Sequence, residues 1–455
     1  MKHTYATALA SAAMLIAVSM SAASADTPIK PSPAISPAPK AAPVSPLSKL
    51  HVSGIVRAYA FDREFQIGPS QSATNFLAGI HADYDLAKHL TLGASYYGAY
   101  PFGLNGHNPQ FNGLADNSLP ASTLSAFPET YLQYKTNRAS VTVGNQFLNE
   151  KWELGSDTRL MPAAYQGISA TYAVAKNLSV GVDRVIRFEP RTASKFGRYT
   201  LLTAPVLGVG NGVKNEIDTS GALSARLKYG TKYVSALVEG YSFYNIANLQ
   251  YAEARGNINL KGAKPFVALQ YVGENNTGNS ILGRIKNHTY GVQLGANVTR
   301  NVLATVAYDG SPTETSVSKT GLFNTARLSG SPLNAYGSIA SPYTSGYGTD
   351  PLFTTSLIDS NVETRSTRSF KGQLTYTADD KHLVFYAARM YFENVGFNNN
   401  DTHYETDADV TYYFNKVGAG AYKGLSIRQR YGIRNTPTEK NPSFSQARTQ
   451  LQYNF

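Results

Sequence analysis

The chain has 455 residues, a formal net charge of +11 and no cysteine. Beyond the first 25 residues, no segment has the run of about 18 apolar residues that a membrane-spanning helix needs, which argues against a helical membrane protein. Tyrosine (31 residues) and glycine (38 residues) are abundant, and tyrosine suits a membrane interface because one end of its ring is apolar and the other is wet.

Residues 1–25 have the features of a secretory signal peptide. Lys2 supplies the positive start, an apolar stretch runs from Ala8 to Val18, and Ala23-Ser24-Ala25 is a small-residue cleavage site. Residues 26–49 are Pro-rich and predict an extended, flexible periplasmic arm. Two roles stay open for this arm: a passive spacer, or a contact with peptidoglycan or another partner.

From Leu50 to Phe455 the sequence alternates between apolar and polar residues with a period of two, which is typical of strands with one apolar face. In one such segment, the outward residues are Phe76, Ala78, Ile80, Ala82, Tyr84 and Leu86, and the inward ones are Leu77, Gly79, His81, Asp83 and Asp85. About 18 segments of the length of tilted barrel strands can be found. They start near 51, 75, 90, 129, 139, 165, 178, 222, 232, 247, 265, 288, 302, 366, 382, 403, 424 and 445.

The connections between these segments alternate in length. Tight turns such as Asn137-Arg138 and Gly230-Thr231 are followed by long loops near 101–128, 147–164, 188–221 and 311–365. Short turns on one side and long loops on the other are the layout of an outer-membrane barrel. The sequence therefore predicts an all-β fold, a transmembrane antiparallel β-barrel of about 18 strands, and a barrel of this size leaves an aqueous channel.

Basic residues occupy the inferred inward positions of several strands. Spaced guanidinium and ammonium groups along a low-dielectric wall raise the local concentration of anions, and arginine presents a fork that fits a carboxylate or phosphate. This predicted ladder comprises Arg57, Arg187, Arg226, Lys228, Arg255, Lys371, Arg389, Arg428, Arg430, Arg434 and Arg448.

A second interpretation of the ladder is structural. Glu405, Asp407 and Asp409 take inward positions on the strand before Arg428, Arg430 and Arg434, and facing rows would neutralise each other as cross-strand ion pairs. The basic balance also suits contact with anionic lipopolysaccharide, which would place charge outside the barrel.

The last strand keeps its alternation up to the end. Ala447, Thr449, Leu451, Tyr453 and Phe455 form one face, and polar residues form the other. A terminal aromatic residue on such a strand resembles the assembly signal of outer-membrane barrels, so we expect Phe455 to engage the barrel assembly machinery.

Three longer motifs carry a more specific resemblance. They are E-T-Y-L-Q-Y-K (129–135) with V-T-V-G-N-Q (141–146), S-D-T-R-L-M-P-A-A-Y-Q-G (156–167), and K-G-L-S-I-R-Q-R-Y (423–431). From about Leu50 to Phe455 the chain resembles the OprD family of substrate-specific outer-membrane porins. The resemblance implies an 18-stranded barrel narrowed by inward-folded loops, and a basic ladder that guides small carboxylate-bearing solutes such as amino acids and organic acids. The Pro-rich arm and the Ser-, Gly- and Thr-rich loop at 311–365 depart from the family pattern.

The resemblance maps the constriction to the loops 147–164 and 188–221. Candidate residues there are Asp157, Arg159, Arg191, Lys195, Arg198 and Tyr199. If the second loop points outward instead, it is an ordinary solvated loop, and both interpretations stay open.

The sequence therefore predicts a porin for passive diffusion of small anionic solutes in the outer membrane of a Gram-negative bacterium. Its expected partners are membrane lipid, lipopolysaccharide and small carboxylates. The sequence leaves open whether the barrel forms a homo-oligomer. No enzyme activity, cofactor, metal or nucleic-acid partner is predicted. The alternatives are a structural or adhesive barrel, which has no need of an arginine ladder, and an outer-membrane hydrolase, for which Ser and His occur without a defining arrangement.

Overall fold

The computed structural model describes residues 46–455, apart from 67–69, 102–118, 121, 156–158, 203–217, 259, 261, 282–284, 312–316, 319–332, 335–338, 345–347, 365–367, 396–400, 415–423 and 437–442. The predicted signal peptide and most of the predicted arm lie outside the described residues. The last four residues of the arm, Pro46–Lys49, form a short 3-10 helix, where the composition predicts an extended chain.

The architecture is almost entirely β. The strands are β1 (Leu50–Phe65), β2 (Gln71–Ala87), β3 (Leu90–Tyr100), β4 (Leu124–Lys135), β5 (Ala139–Gln146), β6 (Ala164–Ala175), β7 (Leu178–Glu189), β8 (Ala222–Gly230), β9 (Val234–Phe243), β10 (Ala247–Asn257), β11 (Phe266–Asn276), β12 (Lys286–Asn297), β13 (Val302–Gly310), β14 (Val317–Ser318), β15 (Leu333–Asn334), β16 (Arg368–Thr377), β17 (Leu383–Val395), β18 (Asp401–Tyr413), β19 (Leu425–Asn435) and β20 (Phe444–Asn454). One helical turn, Asn361–Thr364, precedes β16. No helix among these residues is long and apolar enough to cross a membrane.

Eighteen of these strands form one antiparallel sheet that closes on itself. Each strand pairs with its sequence neighbours, and β1 pairs with both β2 and β20. The two-residue strands β14 and β15 pair only with each other, within the long connection between β13 and β16. The predicted all-β transmembrane barrel of about 18 strands is therefore confirmed.

Alternation along each strand separates a lipid-facing exterior from the lumen. On β2, Ile80 is 49% exposed whereas Leu77, on the other face, is 1% exposed. Apolar side chains stay exposed on strand after strand around the barrel, among them Leu92, Leu132, Val143, Val182, Leu227, Val238, Leu269, Leu294, Val306 and Leu374. An exposed apolar belt of this kind suits hydrocarbon, and in a closed barrel no strand edge is left unpaired.

The closing seam explains one glycine. The backbone N–H of Gly54 donates to Phe455 O at 2.8 Å, and that of Phe455 donates to Gly54 O at 3.0 Å. A Cβ atom on Gly54 would lie 2.2 Å from Cζ of the Phe455 ring. Any larger residue at position 54 would require the terminal ring to shift, and the expected role of Phe455 in assembly stays a prediction.

The largest buried cluster lies inside the barrel. It combines wall residues, such as Tyr165, Phe188 and Tyr251, with loop residues, such as Trp152 and Tyr343. Because loop side chains pack against the inner wall, part of the lumen is filled by inward-folded loops, and the solute path must run beside them.

Candidate functional site

One sector of the inner wall, formed by β19, β20 and β1, is lined by arginines. Arg430 lies opposite Arg448 in the register of β19 and β20, and Arg57 on β1 lies opposite Gln452 on β20. These three arginines are between 1% and 3% exposed, because inward-folded loops cover them. The period-two pattern of the sequence therefore puts them on the face that was predicted.

Contacts to the loops fix these side chains. Arg57 donates to Gln452 Oε1 at 2.8 Å and to the carbonyl oxygens of Arg159 at 2.9 Å and Leu160 at 2.8 Å. Arg448 donates to the carbonyl oxygen of Leu357 at 3.0 Å. The arginines thus hold two different loops against one sector of the wall.

A group of four guanidinium groups converges on Tyr59 of β1. Their positive charges all act on the Tyr59 hydroxyl, and they come from β19, β20 and two loops: Arg430, Arg448, Arg159 and Arg191. The guanidinium carbons of Arg159 and Arg448 each lie 5.9 Å from the centroid of the neighbouring Phe61 ring. We call Arg159, Arg191, Arg430 and Arg448 the arginine cluster.

The arginine cluster concentrates like charge in a desolvated place. Arg430 and Arg448 also act on each other, and Arg159 acts on both. Because these guanidinium groups are buried beneath the loops, a carboxylate in the open part of the lumen would be attracted by their summed field and not by direct hydrogen bonds. The chemistry of this sector therefore favours small anions.

Other predicted ladder residues face the lumen but serve different contacts. Arg226 forms ion pairs with Glu150 at 3.2 Å and with Asp183, so it ties a loop to the wall. Lys371 donates to the carbonyl oxygen of Thr355 at 2.6 Å. Arg255 stacks 3.5 Å from the centroid of Phe266, and Lys228 lies on the same face as Arg226 near the short-turn end of β8.

Two ladder residues face the exterior, and their predicted inward placement is wrong. Arg389 is exposed and lies opposite the outward residue Thr406. Arg187 is exposed and donates to Gln166 Oε1 at 3.3 Å on the outer surface. A β-bulge between Gln166 and Gly167 inserts one extra residue on β7, which reverses the facing of Arg187.

The acidic row of β18 is inward, as predicted, but it does not form a ladder of cross-strand pairs. Asp409 binds Arg428 through both carboxylate oxygens, at 3.0 and 2.6 Å. Glu405 instead accepts from the N–H of Ile358 at 2.7 Å, and Asp407 from the N–H of Leu357 at 2.9 Å. The Asp409–Arg428 pair thus matches the structural interpretation of the ladder, whereas Glu405 and Asp407 bind backbone N–H groups of a loop.

These contacts reveal an inward element that the sequence did not predict. Residues 339–344 and 348–360 run along the inner wall, and we call them the strap. The N–H of Ala340 donates to Glu274 of β11 at 2.7 Å, and the N–H of Thr354 donates to Asp309 of β13 at 2.7 Å. At the far end, Arg434 of β19 lies 3.5 Å from Asp359.

The strap is therefore fastened by carboxylates from three strands. A signal for it was present in the sequence, because Glu274 and Asp309 occupy inward positions next to apolar and small residues, with no basic residue opposite them on the neighbouring strands. Buried carboxylates need hydrogen-bond donors, and here these are loop N–H groups together with side chains such as Gln270, which donates to Asp309 at 2.6 Å.

The first predicted constriction loop does fold inward. Trp152 and Glu153 are fully buried, and the N–H of Trp152 donates to the Tyr241 hydroxyl at 3.3 Å. Glu153 accepts from Ser224 Oγ at 2.8 Å, and Lys151 donates to Glu253 at 2.8 Å. Arg159 is buried in the arginine cluster, whereas Asp157 lies outside the described residues.

In the second predicted constriction loop, some residues fold into the lumen and others are exposed to solvent. Arg191 is buried and belongs to the arginine cluster, and Tyr199 packs against the cluster of buried apolar residues in the lumen. Lys195 is exposed, and so is Arg198, which lies 3.8 Å from Asp218. One part of this loop thus narrows the lumen and another part is solvated.

A buried carboxyl group in the first constriction loop, that of Glu153, should make the folding stability of the protein depend on pH. Burial raises the pKa of Glu153 to about 8, against the hydrogen bond from Ser224, and the negative charges of Asp183, Glu150 and Glu239 add to the rise. Because the ordinary value is 4.5, the folded protein binds this proton more tightly than the unfolded chain does. The contribution to stability is therefore full below about pH 4.5 and is lost as pH rises towards about 8.

We expect Glu153→Gln, which stays neutral, to flatten this part of the pH profile. Relative to the wild type, the variant should become more stable as pH rises, by at most about 1.4 kcal/mol per pH unit. Thermal unfolding of both proteins between about pH 5 and pH 9 measures the difference. Parallel curves over the whole range would contradict the burial of an ionisable Glu153.

The geometry can be compared with known proteins. No protein-family model and no curated protein sequence matches the chain. The solved structures that match over 90% of this chain include three porins. They are a BenF-like porin from Pseudomonas fluorescens Pf-5 (13% identity, TM-score 0.71, 99% of that chain covered), Pseudomonas aeruginosa OpdK with vanillate (13%, 0.66, 99%) and Pseudomonas aeruginosa OccK2 (OpdF) in complex with glucuronate (12%, 0.67, 98%). The chain thus has the fold of these porins, in agreement with the fold implied by its resemblance to the OprD family.

Proposed function

We propose that the protein is an outer-membrane porin of the OprD type that lets small carboxylate-bearing solutes diffuse past the arginine cluster. The observation that carries the proposal is the gathering of four buried arginines, from two strands and two inward-folded loops, on one sector of an 18-stranded barrel, with Arg159 and Arg448 both 5.9 Å from the centroid of the Phe61 ring. A carboxylate that passes beside this sector is attracted by the combined field of the buried guanidinium groups.

The ligands of the structural neighbours agree with this chemistry. Vanillate, found with OpdK, and glucuronate, found with OccK2, are both small organic carboxylates. The proposal for this chain is limited to small organic carboxylates as a class. Its identity to those two proteins is low, so their particular ligands do not indicate which carboxylate this chain prefers.

In this proposal the basic residues of the lumen have two roles. The arginine cluster guides the solute, with Arg448 also holding Leu357 of the strap. Arg226, Arg428 and Lys371 fix loops and wall through ion pairs and hydrogen bonds. The structural or adhesive alternative explains the second group, whereas a gathering of like charges is better explained by attraction of an anion than by a scaffold, which gains nothing from their mutual repulsion.

Proteoliposome uptake tests the proposal with a matched pair of solutes. Glucuronate and glucose differ chiefly by one carboxylate, so their flux ratio isolates the charge. We expect glucuronate to enter about tenfold faster than glucose at low salt, at the low end of electrostatic enrichment in a charged cleft, and the ratio to shrink at high salt. Equal fluxes at low salt would refute the guiding role.

We further propose that the Pro-rich arm is a periplasmic spacer. Polyproline segments make no internal hydrogen bonds and bury little surface, so the arm has no evident part in closing the barrel. Membrane lipid and lipopolysaccharide are the proposed neighbours of the apolar belt, and the chain is proposed to have no enzymatic activity.

A further inference from the structure

The exterior position of Arg389 is unusual for a charged side chain. Its row on β17 runs through Phe385, Ala387 and Tyr391, which face the hydrocarbon with it. On the neighbouring strand β16, the outward residues Phe370 and Leu374 are 46% and 53% exposed. Arg389 therefore lies within the apolar belt and not at a polar rim, where an arginine would be solvated without cost.

The protein itself supplies little compensation for this charge. Arg389 donates a hydrogen bond to the Thr406 hydroxyl, and its guanidinium carbon lies 5.3 Å from the centroid of the Tyr404 ring. Both are neutral groups. Among the described residues no carboxylate forms a salt bridge with Arg389, and the acid on its outward row, Glu393, pairs with Arg368 at 3.6 Å.

The surroundings form a niche with an aromatic border. Gly372 lies directly opposite Arg389 on β16, and a Cβ atom added there would meet nothing within 4 Å. Towards the long-loop side, the rings of Phe370, Tyr391 and Tyr404 form a row, with centroids 6.1 and 5.1 Å apart. Aromatic rows mark the level of lipid headgroups on such barrels, and the long arginine side chain can reach that level from just below it.

We propose that Arg389, Thr406 and Tyr404 form an exterior site for the phosphate of an outer-leaflet glycolipid of the lipopolysaccharide type. The guanidinium fork binds a phosphate oxygen pair, and an acyl chain lies in the niche over Gly372. Charge complementarity selects the occupant, because the long-loop side of an outer-membrane barrel faces the leaflet that carries phosphorylated glycolipid. The inference rests on the membrane placement of the barrel and is independent of the solute.

The test uses the folded full-length barrel in detergent micelles, titrated with bisphosphorylated lipid A. We expect lipid A to raise the thermal unfolding midpoint of the wild type, and Arg389→Leu to lower its apparent affinity about tenfold or more, as for the loss of a charge-assisted hydrogen bond. In phosphatidylcholine bilayers without lipid A, Arg389→Leu should be at least as stable as the wild type, because the charge has left the apolar belt.

A matched control removes an arginine from the opposite end of the barrel, where the short turns lie. Arg300 lies in the short turn between β12 and β13 and pairs with Asp379 at 3.2 Å, so Arg300→Leu should leave lipid A affinity unchanged. Arg389→Gln, which keeps a donor for Thr406, replaces the leucine variant if that variant gives no folded barrel. For the wild type, dephosphorylated lipid A should have no effect on the midpoint.

Three results would overturn the proposal. The first is an unchanged lipid A affinity in Arg389→Leu or Arg389→Gln, and the second is an equal loss in Arg300→Leu. The third is binding of phosphatidylglycerol as tightly as lipid A, which would assign the site to any anionic lipid and not to a glycolipid.

Discussion

Replacing Arg430 and Arg448 together with glutamine is expected to lower the anion preference of the channel about tenfold and to slow carboxylate uptake, with little change in the flux of neutral solutes. The double variant removes two of the four charges that act on Tyr59. At an effective dielectric constant of about 60, between that of water and that of the protein surface, a unit charge at about 8 Å contributes about 0.7 kcal/mol to the energy of an anion, so losing two charges costs about 1.4 kcal/mol, a factor of about ten.

The same variant distinguishes a guiding role from a structural one. Glutamine keeps an amide N–H donor at both positions, where Arg448 donates to the Leu357 carbonyl and Arg430 to Gln450. Because repulsion within the arginine cluster falls, we expect thermal stability to stay the same or rise. A marked fall in the unfolding temperature with unchanged uptake would mean that the two arginines are part of the scaffold.

Arg428→Gln is the matched control for the double variant. Arg428 is on the same face of β19, two residues from Arg430, but it is bound by both oxygens of Asp409. Its removal leaves a buried carboxylate uncompensated, which costs about 3 kcal/mol or more of unfolding free energy. This control should therefore lose stability, whereas the double variant should lose selectivity.

Replacing Glu405 and Asp407 with alanine is expected to release the end of the strap and widen the lumen. These carboxylates accept the N–H groups of Leu357, Ile358 and Asp359 at 2.9, 2.7 and 3.1 Å. Each buried N–H left without an acceptor costs about 1–3 kcal/mol, so the strap should detach before the barrel unfolds. We expect single-channel conductance to rise and the unfolding temperature to fall.

A carboxylate on the outer surface provides the control for the variant in which Glu405 and Asp407 are replaced with alanine. Glu393 pairs with Arg368 at 3.6 Å on the outer surface, and exposed pairs of this kind contribute about 0–1 kcal/mol. Glu393→Ala should change neither conductance nor stability. If the Glu405 and Asp407 variant behaves like this control, the strap is held by other contacts and does not narrow the path.

The parts of the fold that the sequence predicts well are those set by local alternation. Phe76 to Leu86 alternate cleanly, and both faces of β2 are observed as predicted. The same holds for Arg428 to Arg434 on β19, where each inward position is polar, basic or glycine. When apolar and polar residues alternate with a period of two, the sequence of one strand is enough to predict which side chains face the lumen and which face the lipid.

Alternation fails where both faces are apolar or where the period slips. On β17 the inward residues Ala388, Met390 and Phe392 are themselves apolar and buried, so the pattern does not reveal that Arg389 points outward. On β7 the bulge opposite Gln166 shifts the period just before Arg187. The inward placements predicted for Arg389 and Arg187 were both wrong because they assumed that a charged residue must face the lumen.

The strap could not be predicted from periodicity, because a loop has none. Its anchors are separated in sequence by tens of residues, as in the bond from Ala340 to Glu274. What the sequence does contain is the demand for donors made by inward carboxylates without basic neighbours. The arginine cluster has the same origin, since Arg159 and Arg191 join Arg430 and Arg448 only after two loops fold inward.

The zero-current potential across a planar bilayer, under a tenfold gradient of potassium chloride, tests the central claim most directly. The wild-type channel should be anion-selective, and the potential should move towards zero in the Arg430→Gln, Arg448→Gln variant while Arg428→Gln, where it folds, keeps the wild-type sign. A cation-selective wild-type channel, or the same potential in the wild type and the double variant, would contradict a role for the arginine cluster in guiding carboxylates.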